Sequence, residues 1–227
     1  MTDSITFDFQ RPERTGLSEA VFCQGKTPAQ IEQAVDLARR AGVPLLLTRL
    51  GAEAFELLGP RYRAAIDHDP LSRTGILGGS RQPQGEPAVA VVTAGTSDLP
   101  VAREATRTLA FYDLAAHEIV DVGVAGLWRV LAREEELRRF PVVIVVAGME
   151  GALFSVVAGL VGGVVIAVPT ANGYGVARGG ITALHAALAS CAPGLVTVNI
   201  DNGYGAACAA RRVLGNRPLR EGAASPG

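Results

Sequence analysis

Five short apolar runs, at residues 88–93, 118–122, 142–147, 164–168 and 196–200, alternate with helix-compatible segments at 102–116, 127–138, 152–161, 176–190 and 206–214. The runs are almost uniformly apolar, which is the signature of strands buried on both faces. Regular β/α alternation of such strands predicts a parallel sheet covered by helices on both sides. The fold class expected is therefore α/β, a doubly wound parallel sheet. Ligands on these sheets bind beyond the carboxyl ends of the strands, in the loops that open the helices.

Composition narrows the partners. Hydrophobic residues make up 48% of the 227-residue chain and charged residues 19%, with a net charge of −1. Disorder and a nucleic-acid partner held by bulk electrostatics are both disfavoured, which leaves a small molecule. The apolar stretch 151–168 is interrupted by Gly159, Gly162 and Gly163 and reads as a helix followed by a strand, so no membrane span is expected. Residues 1–10 carry Asp3 and Asp8 and show no basic segment ahead of an apolar core, so a cytoplasmic location is expected. Cys23, Cys191 and Cys208 are odd in number and widely spaced, which fits reduced thiols and no zinc or other metal site.

The N-terminal part is organised differently. Thr27-Pro28-Ala29-Gln30 has the pattern of a capping box with proline at the first helical position, and the helix should reach about Arg40 and end at Gly42. A strand over 43–48 and a helix over 52–58, broken by Gly59-Pro60, complete a small α/β unit. The stretch GGSRQPQGEP at 78–87 reads as a linker. Three regions are expected: a small N-terminal α/β domain over 1–80, a larger domain over 88–215, and a flexible C-terminal tail over 216–227.

Glycine is enriched, at 27 residues against a background of roughly 7%, and it concentrates in the strand-end loops. In 93–100, Gly95 permits a tight turn while Thr96 and Ser97 offer amides and hydroxyls at a helix start, a phosphate cradle or else a plain turn capped by Ser97 or Asp98. The tetrapeptide Asn-Gly-Tyr-Gly occurs twice, as Asn172-Gly173-Tyr174-Gly175 and Asn202-Gly203-Tyr204-Gly205, each time after a strand. Its glycines allow close backbone approach, its tyrosine can cover a flat ring and its asparagine can bond in both directions, although Asn-Gly also makes ordinary turns. Glu150, between Gly148 and Gly151, is placed to act as acid, base or metal ligand, or simply as a charge at a helix N-terminus. Cys208 is expected in the first turn of the helix opening near Gly205, where the dipole favours a thiolate; a free cysteine among alanines is more usually a small core residue. His117 and His185 are read as structural residues of helical or helix-edge segments, and His68 as part of a solvated turn.

With these loops in place, residues 89–214 resemble the aminoimidazole-ribotide carboxylase superfamily, whose fold is flavodoxin-like. More specifically, TAGTSDLPVAREA (93–105), DVGVAGLWR (121–129), VVAGMEGALFSVVAGLVGG (145–163), PTANGYGVA (169–177) and NIDNGYGAACAA (199–210) resemble the LarB family. Arg14-Thr15-Gly16 and Gly25-Lys26-Thr27 extend the likeness to the N-terminal region. The purine enzymes carry a Ser-Ala-His-Arg stretch where this chain has Gly123 to Arg129, so the carboxylate-shuttling histidine is missing. Trp128 stands where the LarB-like pattern has histidine, and Phe154 where it more usually has proline.

The resemblance implies carboxylation of nicotinic acid adenine dinucleotide at ring C5, with phosphoanhydride cleavage releasing AMP, in nickel-pincer cofactor synthesis. Carbon dioxide or bicarbonate is the cosubstrate, magnesium a counterion without a dedicated motif, and the assembly a homo-oligomer, an octamer by analogy with the superfamily. An electron-poor pyridinium becomes nucleophilic at C5 once a thiolate has added to the ring, which makes Cys208 the expected nucleophile. Asp98, Glu150 and Asp201 are the expected bases, not ranked among themselves. Gly95, Thr96 and Ser97 would hold phosphate, Arg178 phosphate or carboxylate, and Tyr174 and Tyr204 the rings. A purine-pathway carboxylase or mutase and a non-catalytic nucleotide-binding regulator are the competing readings.

Overall fold

Local chemistry sets the first helix of the N-terminal unit. In a computed structural model that describes residues 5–79 and 82–215, the Gln30 amide donates to Thr27 Oγ1 (3.3 Å) and the Thr27 amide donates to Gln30 Oε1 (2.9 Å). This is the reciprocal cap expected from the sequence. It opens a helix that follows a short one, α1 (Arg11–Thr15), and a strand, β1 (Ala20–Phe22). The capped helix is α2 (Pro28–Ala41), stopped by Gly42 at φ 67°, and it lays Ile31, Ala34, Val35 and Ala38 on a sheet. There follow β2 (Leu45–Thr48), α3 (Ala52–Glu56), α4 (Pro60–Arg63), β3 (Ile66–Asp69) and β4 (Thr74–Leu77). The strands pair in the order β1-β2-β4-β3, with β1 parallel to β2 and the rest antiparallel.

The hairpin of β3 and β4 has no apolar alternation in sequence, and it corrects the reading of His68. That residue lies in a strand, not a solvated turn; its Nε2 donates to Leu50 O (2.9 Å) and its ring stacks on Phe55 at 4.1 Å.

The second unit contains β5 (Val89–Thr93), α5 (Leu99–Phe111), β6 (Ala116–Ile119), α6 (Leu127–Leu131), α7 (Glu134–Leu137) and β7 (Val142–Ala147). It continues with α8 (Ala152–Leu160), β8 (Val164–Pro169), α9 (Ile181–Leu188), β9 (Leu195–Thr197) and α10 (Gly203–Val213). Its sheet is wholly parallel in the order β6-β5-β7-β8-β9, as the uniform apolar runs require. Val89, Val91, Ile144 and Val146 point to α5 and α10, whereas Ala90, Val92, Val143 and Val145 point to α8 and α9. The apolar stretch 151–168 resolves into α8 and β8, and among the described residues no helix is long and apolar enough to cross a membrane.

Several elements differ from expectation: the helix read at 102–116 is Leu99–Phe111 and the strand read at 196–200 is Leu195–Thr197. The strand read at 118–122 is β6, two to three residues earlier and on a sheet edge, which places His117 in a strand with its Nε2 2.6 Å from Glu136 Oε1. The helix read at 127–138 is two helices, the second restarting at Glu134-Glu135-Glu136, whose charges favour a helix N-terminus. The helix read from 176 begins only at Ile181, because Gly179 and Gly180 adopt φ 75° and 78° and end a 3-10 stretch over Gly175–Gly180. The tail at 216–227 lies outside the described residues.

The two units meet through α5 and α10, which carry the large sheet on one side and the small one on the other. Leu17, Leu46 and Ile76 pack against Phe111, Tyr112 and Cys208. Around this apolar seam Arg107 donates to Thr74 Oγ1 (2.8 Å) and Asp67 O (2.9 Å), and Arg211 to Gly16 O (3.0 Å) and Tyr112 O (3.1 Å). On the opposite face, Phe154 is fully buried at the start of α8, directly beneath Gly151. Phe154→Ala is expected to lower stability by about 3–5 kcal/mol, the usual cost of such a truncation. Urea unfolding midpoints of the two proteins check this.

Candidate active-site cleft

Strand order reverses between β5 and β7: the chain steps outward from β5 to β6 and then returns across it to β7. At such a switch point the loops leaving the two strands diverge and open a crevice. The crevice here has a volume of about 610 Å³, and its walls come from the loops after β5, β6, β7 and β8. Gly95, Ser97 and Asp98 contribute from the first, Arg129 from the α6 side, Glu150 from the third and Asn172, Gly173 and Tyr174 from the fourth.

Asp98 organises the floor. It is 4% exposed, and its Oδ1 accepts from Thr170 Oγ1 (2.7 Å) and Asn172 Nδ2 (2.9 Å) while its Oδ2 accepts from the Gly95 amide (3.1 Å). Asn172 Nδ2 also donates to Ser97 O (2.7 Å), and its carbonyl accepts from the Met149 amide (2.8 Å). One carboxylate and one amide thus tie three loops together. A Cβ on Gly148 would lie 2.0 Å from Asn172 O, so the loops approach this closely only because glycine stands there. Met149 takes φ 51°, and the following Glu150 is exposed on the cleft wall. Arg129 is held beside the opening by Asp121 (3.1 Å).

The twin tetrapeptides have separate fates. At 172–174 the chain is a loop that leads into the 3-10 stretch at Gly175 (φ 57°), with Tyr174 78% exposed on the cleft wall. At 202–205 the same residues open α10: Asn202 Oδ1 caps the Gly205 amide (2.8 Å), and Gly203 and Tyr204 are already helical. Tyr204 turns away from the cleft toward Cys208 and the seam between the two units, and burial there pushes its phenol up. Stacking of Tyr204 on a bound ring is therefore corrected. Asp201, at φ 54°, accepts the Ala171 amide on Oδ1 (2.9 Å), which links the second tetrapeptide to the first.

The placement of Cys208 in the first turn is corrected as well. With α10 starting at Gly203, the residue lies beyond the first turn, where the field of the helix terminus has faded. It is buried against Leu17, Leu46, Phe111 and Tyr112, does not line the cleft, and its thiol is pushed up to about 11 by burial. Cys23 is likewise buried and pushed up to about 12. Cys191 is exposed. Arg178 and Thr96 are exposed near the rim without lining the cleft. Residues that the sequence reading passed over are Thr170, which reads as the polar end of a strand, and Arg129, quoted only within a motif.

Comparison with known proteins settles the family. Residues 2–78 match the LarB/PurE-like N-terminal domain, and residues 88–221, more than half of the chain, match AIR carboxylase. The chain belongs to the LarB family. An uncharacterized protein of Methanocaldococcus jannaschii is 38% identical over 214 residues, spanning 90% of this chain and 81% of that one. Among solved structures, Treponema denticola PurE is similar at 20% identity and a TM-score of 0.48, over 57% of this chain and 80% of its own. A PurE2 variant of the same organism is similar at 21% identity and a TM-score of 0.46, with the same coverage. LarB-family and AIR-carboxylase proteins are enzymes of the carboxylase and mutase type.

Burial of the two inner thiols gives a measurable outcome. On the native protein, iodoacetamide at neutral pH should alkylate Cys191 and leave Cys23 and Cys208 unmodified until the chain unfolds, as read by peptide mass spectrometry. The sign of the pH effect follows from linkage. The folded Cys208 thiol ionises at about 11 against 9.0 for the free group, so its contribution is complete below pH 9 and is lost as pH rises toward 11. Relative to Cys208→Ala, the parent protein should lose about 3 kcal/mol more stability across that window.

Proposed function

We propose that the cleft binds nicotinic acid adenine dinucleotide, and that the enzyme carboxylates its pyridinium ring at C5 and cleaves the phosphoanhydride to release AMP, a step in nickel-pincer cofactor synthesis. The observation that carries this reading is Glu150: an exposed carboxylate on a glycine-flanked strand end, facing a crevice of dinucleotide-compatible size in a LarB-family chain. Removal of the C5 proton after carboxylation needs a base within reach of the ring. Asp98 has both oxygens committed to hydrogen bonds and Asp201 holds the Ala171 amide, whereas Glu150 faces the cleft. In this proposal Glu150 is the base and Asp98 positions the loops. Gly95 and Ser97 take phosphate, and Tyr174 lies against a ring.

Ring activation by a thiolate requires an accessible thiol. In this proposal Cys208 is that thiol, and because it is buried in the free chain it must become accessible when the ring binds. The proposal includes a homo-oligomer, as the superfamily resemblance implies. Carbon dioxide or bicarbonate is the second substrate. No three His, Cys, Asp or Glu side chains gather as a metal-binding group among the described residues, so magnesium enters only as a counterion of the substrate's phosphates.

A purine-type reading would need a histidine in the cleft. His68 and His117 are engaged elsewhere, and His185 lies on α9; none of the three lines the cleft.

The test supplies the dinucleotide, bicarbonate and magnesium, and follows AMP and a product heavier by one carboxylate by mass spectrometry. Both should appear with the parent protein, Glu150→Gln should slow turnover by about 10²–10⁴-fold, and Cys208→Ala should abolish product while Cys191→Ser retains it. Product from Cys208→Ala would remove that thiol from the mechanism. No product from the parent protein, with turnover of carboxylated aminoimidazole ribotide instead, would replace this reading by the purine one; binding without turnover would make the chain a regulator.

A further inference from the structure

We propose that Arg49, carried by the N-terminal unit, is a positioning residue for the cleft in the other unit. The inference concerns the loop geometry itself; only its consequence for substrate rests on the function proposed above.

Arg49 follows β2 with φ 55°, a left-handed conformation uncommon for non-glycine residues. Its side chain is 18% exposed and leaves its own sheet for α10 of the neighbouring unit. There a guanidinium nitrogen donates to Asp201 O, and Nε lies 3.7 Å from Glu104 Oε1. Glu104 is buried on α5, with its carboxyl pushed up by burial against the opposing pull of Arg49, and its Oε2 accepts the Tyr204 amide (3.2 Å). The arginine and the carboxylate together hold the turn into α10 from two directions.

That turn is one contact from the cleft. Asp201 is itself at φ 54°; its amide donates to Pro169 O (2.8 Å) and its Oδ1 accepts from Ala171. The next residue, Asn172, holds Ser97, Asp98 and Met149. An unbroken series of polar contacts therefore runs from Arg49 through Asp201 and the 170–172 loop to Asp98 and the backbone beside Glu150. Without the guanidinium the Asp201 carbonyl loses its partner, the left-handed turn loses its enforcement, and the Ala171 amide loses the fixed acceptor on which the loop depends. Lysine has one compact ammonium and cannot serve the carbonyl and the Glu104 carboxylate with the same fork geometry.

Hydrogen exchange on the full chain, with Arg49→Met and Arg49→Lys beside the parent, tests this. Loss of one backbone hydrogen bond's restraint should speed exchange in peptides spanning 169–175 and 201–205 roughly tenfold in Arg49→Met, with Arg49→Lys intermediate and β2 unchanged. Equal exchange in 169–175 for all three proteins would overturn the proposal. So would equal loosening of β2 and the 169–175 loop, which would mark Arg49 as a general stabiliser of its own unit. In the dinucleotide assay Arg49→Met should raise KM about tenfold with kcat less affected. An exchange difference between the variants and the parent, with no product from the parent, would sink the proposed reaction and leave Arg49 as the loop's positioning residue.

Discussion

Strand β7 has no face to give to water. All six residues of Val142–Ala147 are buried, and the strand sits at the centre of the sheet between β5 and β8. A strand of this kind needs helices on both sides, and parallel neighbours reached by crossovers put every strand-to-helix loop at one edge. The position of the cleft follows from that, since Gly148, Met149 and Glu150 are the residues that come next. Burial of one apolar run thus determines where an exposed carboxylate emerges.

The same logic explains what could be read from sequence. Runs such as Val89–Thr93 and Val164–Pro169 are local and unmistakable, and they carry the fold class with them. Edge elements were less legible: β6 holds His117 and Glu118, and β9 keeps only three residues, so neither shows a buried run. The hairpin of β3 and β4 was hidden for a related reason, because Asp67, His68 and Asp69 are satisfied by partners distant in sequence.

The site divides along similar lines. Residues belonging to a strand-end loop, such as Gly95, Ser97, Glu150 and Asn172, could be named from their setting and do come together around the cleft. Tyr204 and Cys208 could not be placed, because their fate depends on a second sheet packing over α10 from a region more than a hundred residues earlier. Two identical tetrapeptides gave no warning of this. One faces a crevice and the other faces Leu17, Leu46 and Ile76, and only the tertiary environment distinguishes them. Arg49 was invisible for the same reason, since its contact with Asp201 spans 152 positions.

The outer strands carry a further implication. In the large sheet, β6 offers four residues, among them His117 and Glu118, and β9 offers three; in the small sheet β1 is equally short and β3 presents Asp67 and Asp69. Short and charged margins of this kind resist strand addition by a foreign chain. The chain can keep a core rich in valine, a residue suited to cross-β stacking, without presenting a template on which such stacking could start.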